Sequence, residues 1–307
     1  MTSNNYLITI VGPTAIGKTA LSIQLANHFK SAIISCDSRQ FYKEMTIGTA
    51  VPDADELAAA EHHFIQNRSI FEDYNVGSFE RDALAKLNDL FKENPIQIMV
   101  GGSGLYVDAV LKGLDYFPEV DPKIREALTL KLEKEGVAVL QEQLKELDPE
   151  TYNVIELQNP KRVMRALEVC IGSGIPYSTF KNKPKAPRNF TSIKIGLDAD
   201  REIIYNRINM RVDIMIENGL LEEAKNLYPH KSLNALQTVG YRELFSYFDG
   251  DFTKEFAISE IKKNTRRFAK RQGTWFKRDK TTLWFDYQTD INTIIAKISD
   301  KINISKP

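Results

Sequence analysis

An apolar run, a glycine-bounded loop and a helical stripe open the chain in that order. Together they constrain the fold of these 307 residues more than any other feature. Tyr6–Val11 (YLITIV) is rich in β-branched residues, as a buried strand is. From Ala20 the pattern turns helical, with Leu21, Leu25 and Phe29 on one face. Between them, Gly12, Pro13, Thr14, Ala15, Ile16, Gly17, Lys18 and Thr19 satisfy G-x-x-x-x-G-K-[ST]. Glycines let consecutive backbone N–H groups face inward around an anion, and the following helix N-terminus adds partial positive charge. Lys18 adds a full charge, and Thr19 offers a hydroxyl to Mg²⁺. The eight residues form the candidate site for a diphosphate or triphosphate. The motif does not make ATP the ligand.

The rest of the chain repeats the strand–helix alternation. Short apolar runs at residues 32–36, Ile96–Val100 and 192–197 read as strands, with a helix over 79–94 between the first two. Strands separated by helices imply βαβ units around a parallel sheet. After Leu114 the texture changes. Residues 123–147 and 160–170 are amphipathic helical patterns with no strand-like run, and the Pro- and Lys-rich stretch 181–189 reads as a connector. The predicted architecture is therefore α/β: a P-loop NTPase-like parallel sheet flanked by helices, formed by residues 1–115 and 189–307, with a helical domain inserted at 116–188.

Composition excludes several classes. Forty-one Lys and Arg balance forty-one Asp and Glu, which argues against a uniformly basic chain. The 42% hydrophobic content argues against a disordered acidic one. Cys36 and Cys170 alone cannot build a disulfide scaffold or an all-cysteine zinc site. No apolar run approaches the ~20 residues of a membrane span. No signal peptide fits, and a soluble cytoplasmic protein is expected.

Nucleotide-hydrolysing relatives of such a loop usually close another core strand with a Mg²⁺-holding acid. Here Ile96–Val100 runs into Gly101-Gly102-Ser103-Gly104, although residues 192–197 do reach Asp198 and Asp200. The acid best placed near the phosphates is Asp37, at the carboxyl end of the second strand, where open parallel sheets bind ligands. It could hold Mg²⁺ through water, accept a proton, or cap a helix. His62-His63 has no third ligand at metal spacing and is discounted as a metal pair.

Seven collinear blocks carry a family resemblance: GPTAIGKTAL (12–21), ISCDSRQFYKEMTIGTAVP (34–52), HHF (62–64), VGGSGLYVDAVL (100–111), RVMRALEV (162–169), QTVGYRE (237–243) and KRQGTWFK (270–277). Through them the chain resembles the bacterial-type tRNA dimethylallyltransferases, or tRNA isopentenyltransferases, over nearly its whole length. Thr46 and Val51 stand where that family often carries an acid and a base, and Gly273 where a larger residue is common.

The resemblance implies transfer of a dimethylallyl group from dimethylallyl diphosphate to N6 of the adenosine 3′ of the anticodon, with diphosphate released. The phosphate loop would then hold the leaving diphosphate, with Mg²⁺ as cofactor. The adenosine would be flipped out of the anticodon loop, as chemistry on a stacked base requires. Carried over, Asp37 is the base for the N6 proton, Arg211 the diphosphate arginine with Arg207 as rival, and Ser103 a residue near the substrate nucleotide. The resemblance also implies that the insertion grips the anticodon stem-loop.

Residues 262–280 hold nine basic residues against Asp279 alone, a net of +8 that leaves −8 in the remainder. Positions 262/266/270 and 263/267/271 fall on one helical stripe, interleaved with Phe268, Trp275 and Phe276. This concentration fits a nucleic-acid backbone, with strong salt dependence. Expected tRNA contacts are Asp37, Ser38, Arg39, Gln40, Ser103, Arg125, Lys161, Arg162, Val163, Met164, Arg165, Gln237, Thr238, Val239, Gly240, Tyr241, Arg242, Lys270, Arg271, Gln272, Trp275 and Lys277. Gln237 and Tyr241 suit edge reading and stacking of unpaired bases. The expected state is a monomer with no protein partner and no membrane. The competing readings are an isopentenyltransferase acting on a free adenylate, a small-molecule kinase and a non-catalytic RNA-binding module.

Overall fold

The computed structural model describes residues 5–304. Among them, six strands form one parallel sheet: β1 (Tyr6–Val11), β2 (Ile33–Ser35), β3 (His62–His63), β4 (Ile96–Val100), β5 (Thr191–Asp198) and β6 (Leu283–Asp286). Their spatial order is β3-β2-β4-β1-β5-β6. The glycine-bounded strand is central, with Ile8 in register with Ile98 on one side and Ile193 on the other. Successive side chains alternate between two cores. Leu7 and Met99 pack with Phe79, Leu87 and Val107 of the helices Val76–Glu93 and Gly104–Lys112. Ile8, Ile98 and Ile193 pack with Leu25 of Lys18–Phe29 and Ile298 of Ile291–Ile304. A sheet covered on both faces explains why the strands read as continuous apolar runs rather than alternating ones.

The second strand is shorter than the expected 32–36. The strands β3 and β6 were not foreseen. The strand β3 is two histidines at an edge, too short to carry a pattern. In β6, Trp284 pairs with Gly196, and a Cβ on that glycine would collide with the Trp284 ring. That complementarity belongs to two distant segments and leaves no local signal.

A third cluster joins the helices Arg201–Glu217, Leu220–Leu227, Tyr241–Phe248 and Lys254–Phe276 around Val212, Leu236, Tyr241 and Ile261, with Tyr42 and Met45 packed in. The functional loops all leave the carboxyl ends of strands: residues 12–17 after β1, Asp37 after β2, and 101–104 after β4.

The chain divides into two compact units, Met1–Lys112 with Arg188–Pro307 and Gly113–Pro187. The inserted unit thus begins at Gly113 rather than 116 and ends at Pro187 rather than 188. Arg188 stays with the larger unit because its guanidinium donates to the carbonyls of Ala109 and Val110 and to Glu80. Three Asx-Pro pairs start the inserted helices Pro122–Glu135, Pro149–Val154 and Pro160–Ser173. Asp121, Asp148 and Asn159 each accept a first-turn N–H, while proline at the first helical position lacks a donor that would go unpaired. Leu128, Leu140, Leu144, Val163 and Leu167 form the core of this unit. Buried Glu168 accepts from Arg125 Nε at 2.6 Å and Arg165 Nη1 at 3.2 Å.

Asp148 is the most heavily used of these caps. Its buried carboxylate accepts from the N–H of Thr151 at 3.0 Å and from the N–H and hydroxyl of Ser178 at 2.7 and 3.0 Å. Burial pushes its pKa up, but the hydrogen bonds from Thr151 and Ser178 outweigh it, and the carboxyl sits below its usual value. A depressed carboxylate contributes stability above its unfolded pKa of about 3.9 and loses it as pH falls through the lower folded value. Asp148→Ala should therefore cost about 2 kcal/mol at pH 7, and progressively less towards pH 3, in thermal unfolding of the two proteins.

Candidate active site

The loop after β1 needs its glycines for two separate reasons. Gly12 has φ +144°, and a Cβ there would stand 2.5 Å from the Leu197 carbonyl oxygen; Gly17, at φ +112°, begins the helix. Lys18 Nζ donates to Pro13 O at 2.8 Å, and Arg207 Nε donates to Ala15 O at 2.7 Å. Arg211 Nη1 lies 3.5 Å from Thr14 Oγ1. Arg207 is exposed, with its guanidinium 5.3 Å from the Tyr287 ring centroid, whereas Arg211 is half-buried and feels the charges of Glu56 and Asp37. Both arginines thus stand at the phosphate loop, Arg207 on the carbonyl of Ala15 and Arg211 near the Thr14 hydroxyl.

Asp37 accepts the N–H of Arg39 at 3.1 Å. Burial raises its pKa, opposed by that hydrogen bond and by the charges of Lys18, Arg39 and Arg211. Burial also lowers the Lys18 ammonium to about 8; Asp37 raises it and Arg211 lowers it further. The carboxylate and its two cationic neighbours thus share one desolvated spot. The loop after β4 is glycine-rich because other groups pack against it. A Cβ on Gly101 would lie 2.6 Å from Cys36 Sγ, and those on Gly102 and Gly104 would meet Gln272 and Trp275.

Two cavities meet at this spot. One, of about 670 Å³, is lined by residues 14–20 of the phosphate loop and the start of its helix. The other, of about 430 Å³, is lined by residues 102–106 together with Gln272 and Trp275. Both include Thr14, Asp37, Thr49, Ala50, Arg211 and Met215. A group entering from either side therefore reaches the same carboxylate.

Several expected contacts occupy different positions. The Ser103 hydroxyl accepts the Ser38 N–H at 3.1 Å and lies 3.1 Å from the Ser38 hydroxyl, so it fixes the backbone that follows Asp37. Gln272 is a buried strut: its Oε1 accepts from Thr14 N–H at 2.9 Å and its Nε2 donates to Gly102 O at 3.0 Å. Tyr241 is fully buried and donates to Glu223, so its ring presents no face to a base. Val163 and Met164 are buried in the inserted unit rather than offered to RNA. In the same unit Arg125 and Arg165 lie on Glu168, and Arg162 lies 3.5 Å from Glu156; Lys161 is exposed. Thr238, Val239 and Gly240 do line the second cavity, as do Ser38 and Arg39. Gln40 lines the first. Gln237 and Arg242 are exposed.

The basic stripe is partly paired, by residues distant in sequence and by one acid a helical turn away. The Lys254–Phe276 helix does carry it, but Lys262 pairs with Asp213 at 2.6 Å, Lys263 with Glu260 at 2.5 Å, and Arg266 donates to Asn209. Asp279, the lone acid of the segment, pairs with buried Lys194 at 2.7 Å. Arg267, Lys270, Arg271, Lys277, Arg278 and Lys280 remain exposed, with Lys277 reaching Asp198. Trp275 is held by Asp108, to which its indole N–H donates at 3.0 Å. Thr49, Asp108, Met215 and Glu223 were not singled out from the sequence. Thr49 and Asp108 lay inside recognised blocks without being singled out, whereas Met215 and Glu223 sit in helices outside those blocks and left no signal.

Residues 40–279 match the model of the family described as IPP transferase. The chain belongs to that family. A protein of Flavobacterium johnsoniae described as tRNA dimethylallyltransferase is 67% identical over 306 residues, covering 98% of this chain and 99% of that protein. One from Flavobacterium psychrophilum with the same description is 64% identical over 304 residues, covering 97% and 99%. Among solved structures, full-length tRNA isopentenylpyrophosphate transferase from Bacillus halodurans superposes with TM-score 0.74 at 36% identity, covering 98% of each chain. A eukaryotic dimethylallyltransferase acting on tRNA gives TM-score 0.82 at 27% identity, covering 99% of this chain and 80% of that one. The family match begins after the phosphate loop and Asp37, but all four relatives align over nearly the whole chain.

An IPP transferase with this loop should bind inorganic diphosphate through a charged Lys18. Since that ammonium deprotonates at about 8, its contribution is present below that pH and fades above it. The ratio of diphosphate affinities of the unaltered protein and Lys18→Met should be at least ~10 at pH 6.5, the worth of one charge-assisted contact, and approach one by pH 9.5. Isothermal titration of both proteins across that range checks it, because the probe's own ionisation cancels in the ratio.

Proposed function

We propose that the protein transfers a dimethylallyl group from dimethylallyl diphosphate to N6 of the adenosine immediately 3′ of the anticodon in tRNA, releasing diphosphate. One observation carries this reading: Asp37 stands where a phosphate-binding cavity and a second cavity bounded by residues 102–106 and Trp275 meet. The family membership and the tRNA-directed relatives point the same way.

The exocyclic amine of adenine is a weak nucleophile because its lone pair is delocalised into the ring. In the proposed step N6 attacks C1 of the allyl group, the C1–O bond breaks, and the N6 proton passes to the Asp37 carboxylate. A carboxylate whose pKa burial has raised is a better proton acceptor than a solvated one. The leaving diphosphate carries its new charge among the loop N–H groups, Lys18 and Arg211, groups fixed before the reaction starts. Ser103 and Gln272 contribute by holding the two loops that frame Asp37.

Among the described residues no group of three or more His, Cys, Asp or Glu could hold a metal alone. Thr19 does share the first cavity with Lys18 and Asp37. A hydroxyl completed by substrate oxygens and water suits Mg²⁺, which keeps waters and uses few protein ligands. When bound, Mg²⁺ would neutralise part of the diphosphate charge. The exposed Arg267, Lys270, Arg271, Lys277, Arg278 and Lys280, with Lys161 and Arg162 of the inserted unit, are proposed to hold the tRNA backbone. No helix among the described residues is long and apolar enough to cross a membrane. The reading takes the protein as a cytoplasmic monomer that needs no protein partner.

Incubation with dimethylallyl diphosphate, Mg²⁺ and unmodified tRNA, followed by nucleoside analysis, should yield N6-prenyl adenosine. Asp37→Ala should lower turnover ~10²- to 10⁴-fold, the usual worth of a general base, with tRNA binding held within about twofold. A product-free reaction by the unaltered protein would sink the reading. Near-normal turnover by the variant would remove Asp37 as the base. Transfer of label from γ-labelled ATP would favour a kinase instead.

A further inference from the structure

The wall between the two cavities is built by the backbone of residues 46–50, and one distant carboxylate holds it. Glu223, in the first turn of the Leu220–Leu227 helix, accepts three consecutive amides: Thr46 N–H at 3.0 Å and Ile47 N–H at 2.8 Å on Oε2, and Gly48 N–H at 2.9 Å on Oε1. Consecutive N–H groups converging in this way form an anion nest. The fourth donor is the hydroxyl of fully buried Tyr241, at 2.6 Å from Oε1. An ionised carboxylate has about four lone-pair sites, and this one uses all of them.

The other edge of the wall is held from the Asp37 side. Gln40 Nε2 donates to Thr49 O at 3.2 Å and to Ala50 O at 2.8 Å. Gln40 Oε1 accepts from Ser35 Oγ at 3.2 Å, and the Gln40 N–H donates to Asp37 O at 3.1 Å. Amides are thus fixed by Glu223 and carbonyls by a side chain anchored to the strand that carries Asp37. The Tyr241 ring packs so closely under the loop that a Cβ on Gly48 would lie 2.6 Å from its Cζ and Oη. Thr49 and Ala50 face both cavities, alongside Asp37 and Arg211.

We infer that Glu223 is a positioning residue: through the 46–48 amides it sets the wall that aligns a donor in the phosphate cavity with Asp37. It touches no reacting atom. The inference rests on the proposed prenyl transfer for its kinetic consequence, though not for the anchoring itself. Glutamine at this position keeps the shape but puts an N–H₂ group against amide or hydroxyl donors, so no rotamer satisfies all four. Phenylalanine at 241 removes a single donor and leaves the three amides paired.

The experiment compares the full-length protein with Glu223→Gln and Tyr241→Phe by two readouts. Amide hydrogen exchange of residues 46–48 needs no substrate. Exchange there should be at least ~10-fold faster in Glu223→Gln, the factor for loss of about one hydrogen bond's worth of protection, and within ~3-fold of the unaltered protein in Tyr241→Phe. In steady-state transfer, Glu223→Gln should raise the KM for dimethylallyl diphosphate ~10-fold and leave tRNA affinity within about twofold. A variant that merely lost folded protein would lower kcat with the donor KM unchanged, and that outcome overturns the inference. Unchanged exchange at 46–48 in Glu223→Gln also overturns it. If Glu223→Gln does not fold, Tyr241→Phe carries the test: a donor KM raised ~2- to 3-fold supports the inference, and an unchanged one contradicts it. Absence of prenyl transfer in the unaltered protein is a failure of the proposed function alone, since the exchange data still decide whether Glu223 anchors the wall.

Discussion

A carboxylate buried at the end of a parallel strand is stable only if positive charge and donors stand beside it, and the surroundings of Asp37 are arranged around that requirement. Lys18 and Arg211 supply the charge, and the Arg39 N–H supplies the hydrogen bond. The same burial that raises the acid lowers the Lys18 ammonium to about 8, so both groups are less strongly ionised than they would be in water. Their ionisation at neutral pH works against folding and draws on stability supplied elsewhere. The sheet provides it, with central strands buried on both faces and two cores of interlocked aliphatic and aromatic side chains. A rigid scaffold beneath a desolvated charge cluster is the arrangement that electrostatic stabilisation of a developing anion needs.

Much of this was legible in the sequence because the loop chemistry is local. The spacing of Gly12, Gly17, Lys18 and Thr19 is set by the turn that cradles an anion, and it survives in any context. Asp37 could be placed because it follows a strand by two residues. What the sequence hid is what tertiary pairing decides. Arg207 and Arg211 share a helix face, and both line the phosphate cavity, Arg207 bonded to Ala15 O and Arg211 within the field of Glu56 and Asp37. Tyr241 is chemically suited to stacking, yet Glu223, eighteen residues away, takes its hydroxyl into the interior. Val163 and Met164 sit beside cationic neighbours in the chain but on the opposite face of their helix.

The basic helix shows the same limit from the side of charge. A count along residues 262–280 finds one opposing acid. Folding brings Asp213 and Asp198 to Lys262 and Lys277, Glu260 just outside that stretch pairs with Lys263, and Asp279 is assigned to buried Lys194. The charge left for a polyanion is concentrated on residues 267–280, at the end of the helix where Gln272 and Trp275 line the second cavity. Zero net charge for the whole chain therefore coexists with a cationic rim beside the candidate active site, over an acidic remainder.

Central to this account is that Asp37 works as the ionised base and Lys18 as the charged diphosphate ligand in the same free enzyme. The pH dependence of kcat/KM for dimethylallyl diphosphate tests it most directly, because that ratio reports the essential acid and base of the free enzyme. The expected profile is a bell, ascending above the ordinary carboxylate value of about 3.9 and descending near 8. Asp37→Asn should lose the ascending limb while its residual rate keeps the descending one. A flat profile between pH 5 and 9, or an ascending limb that persists unchanged in Asp37→Asn, would contradict the account.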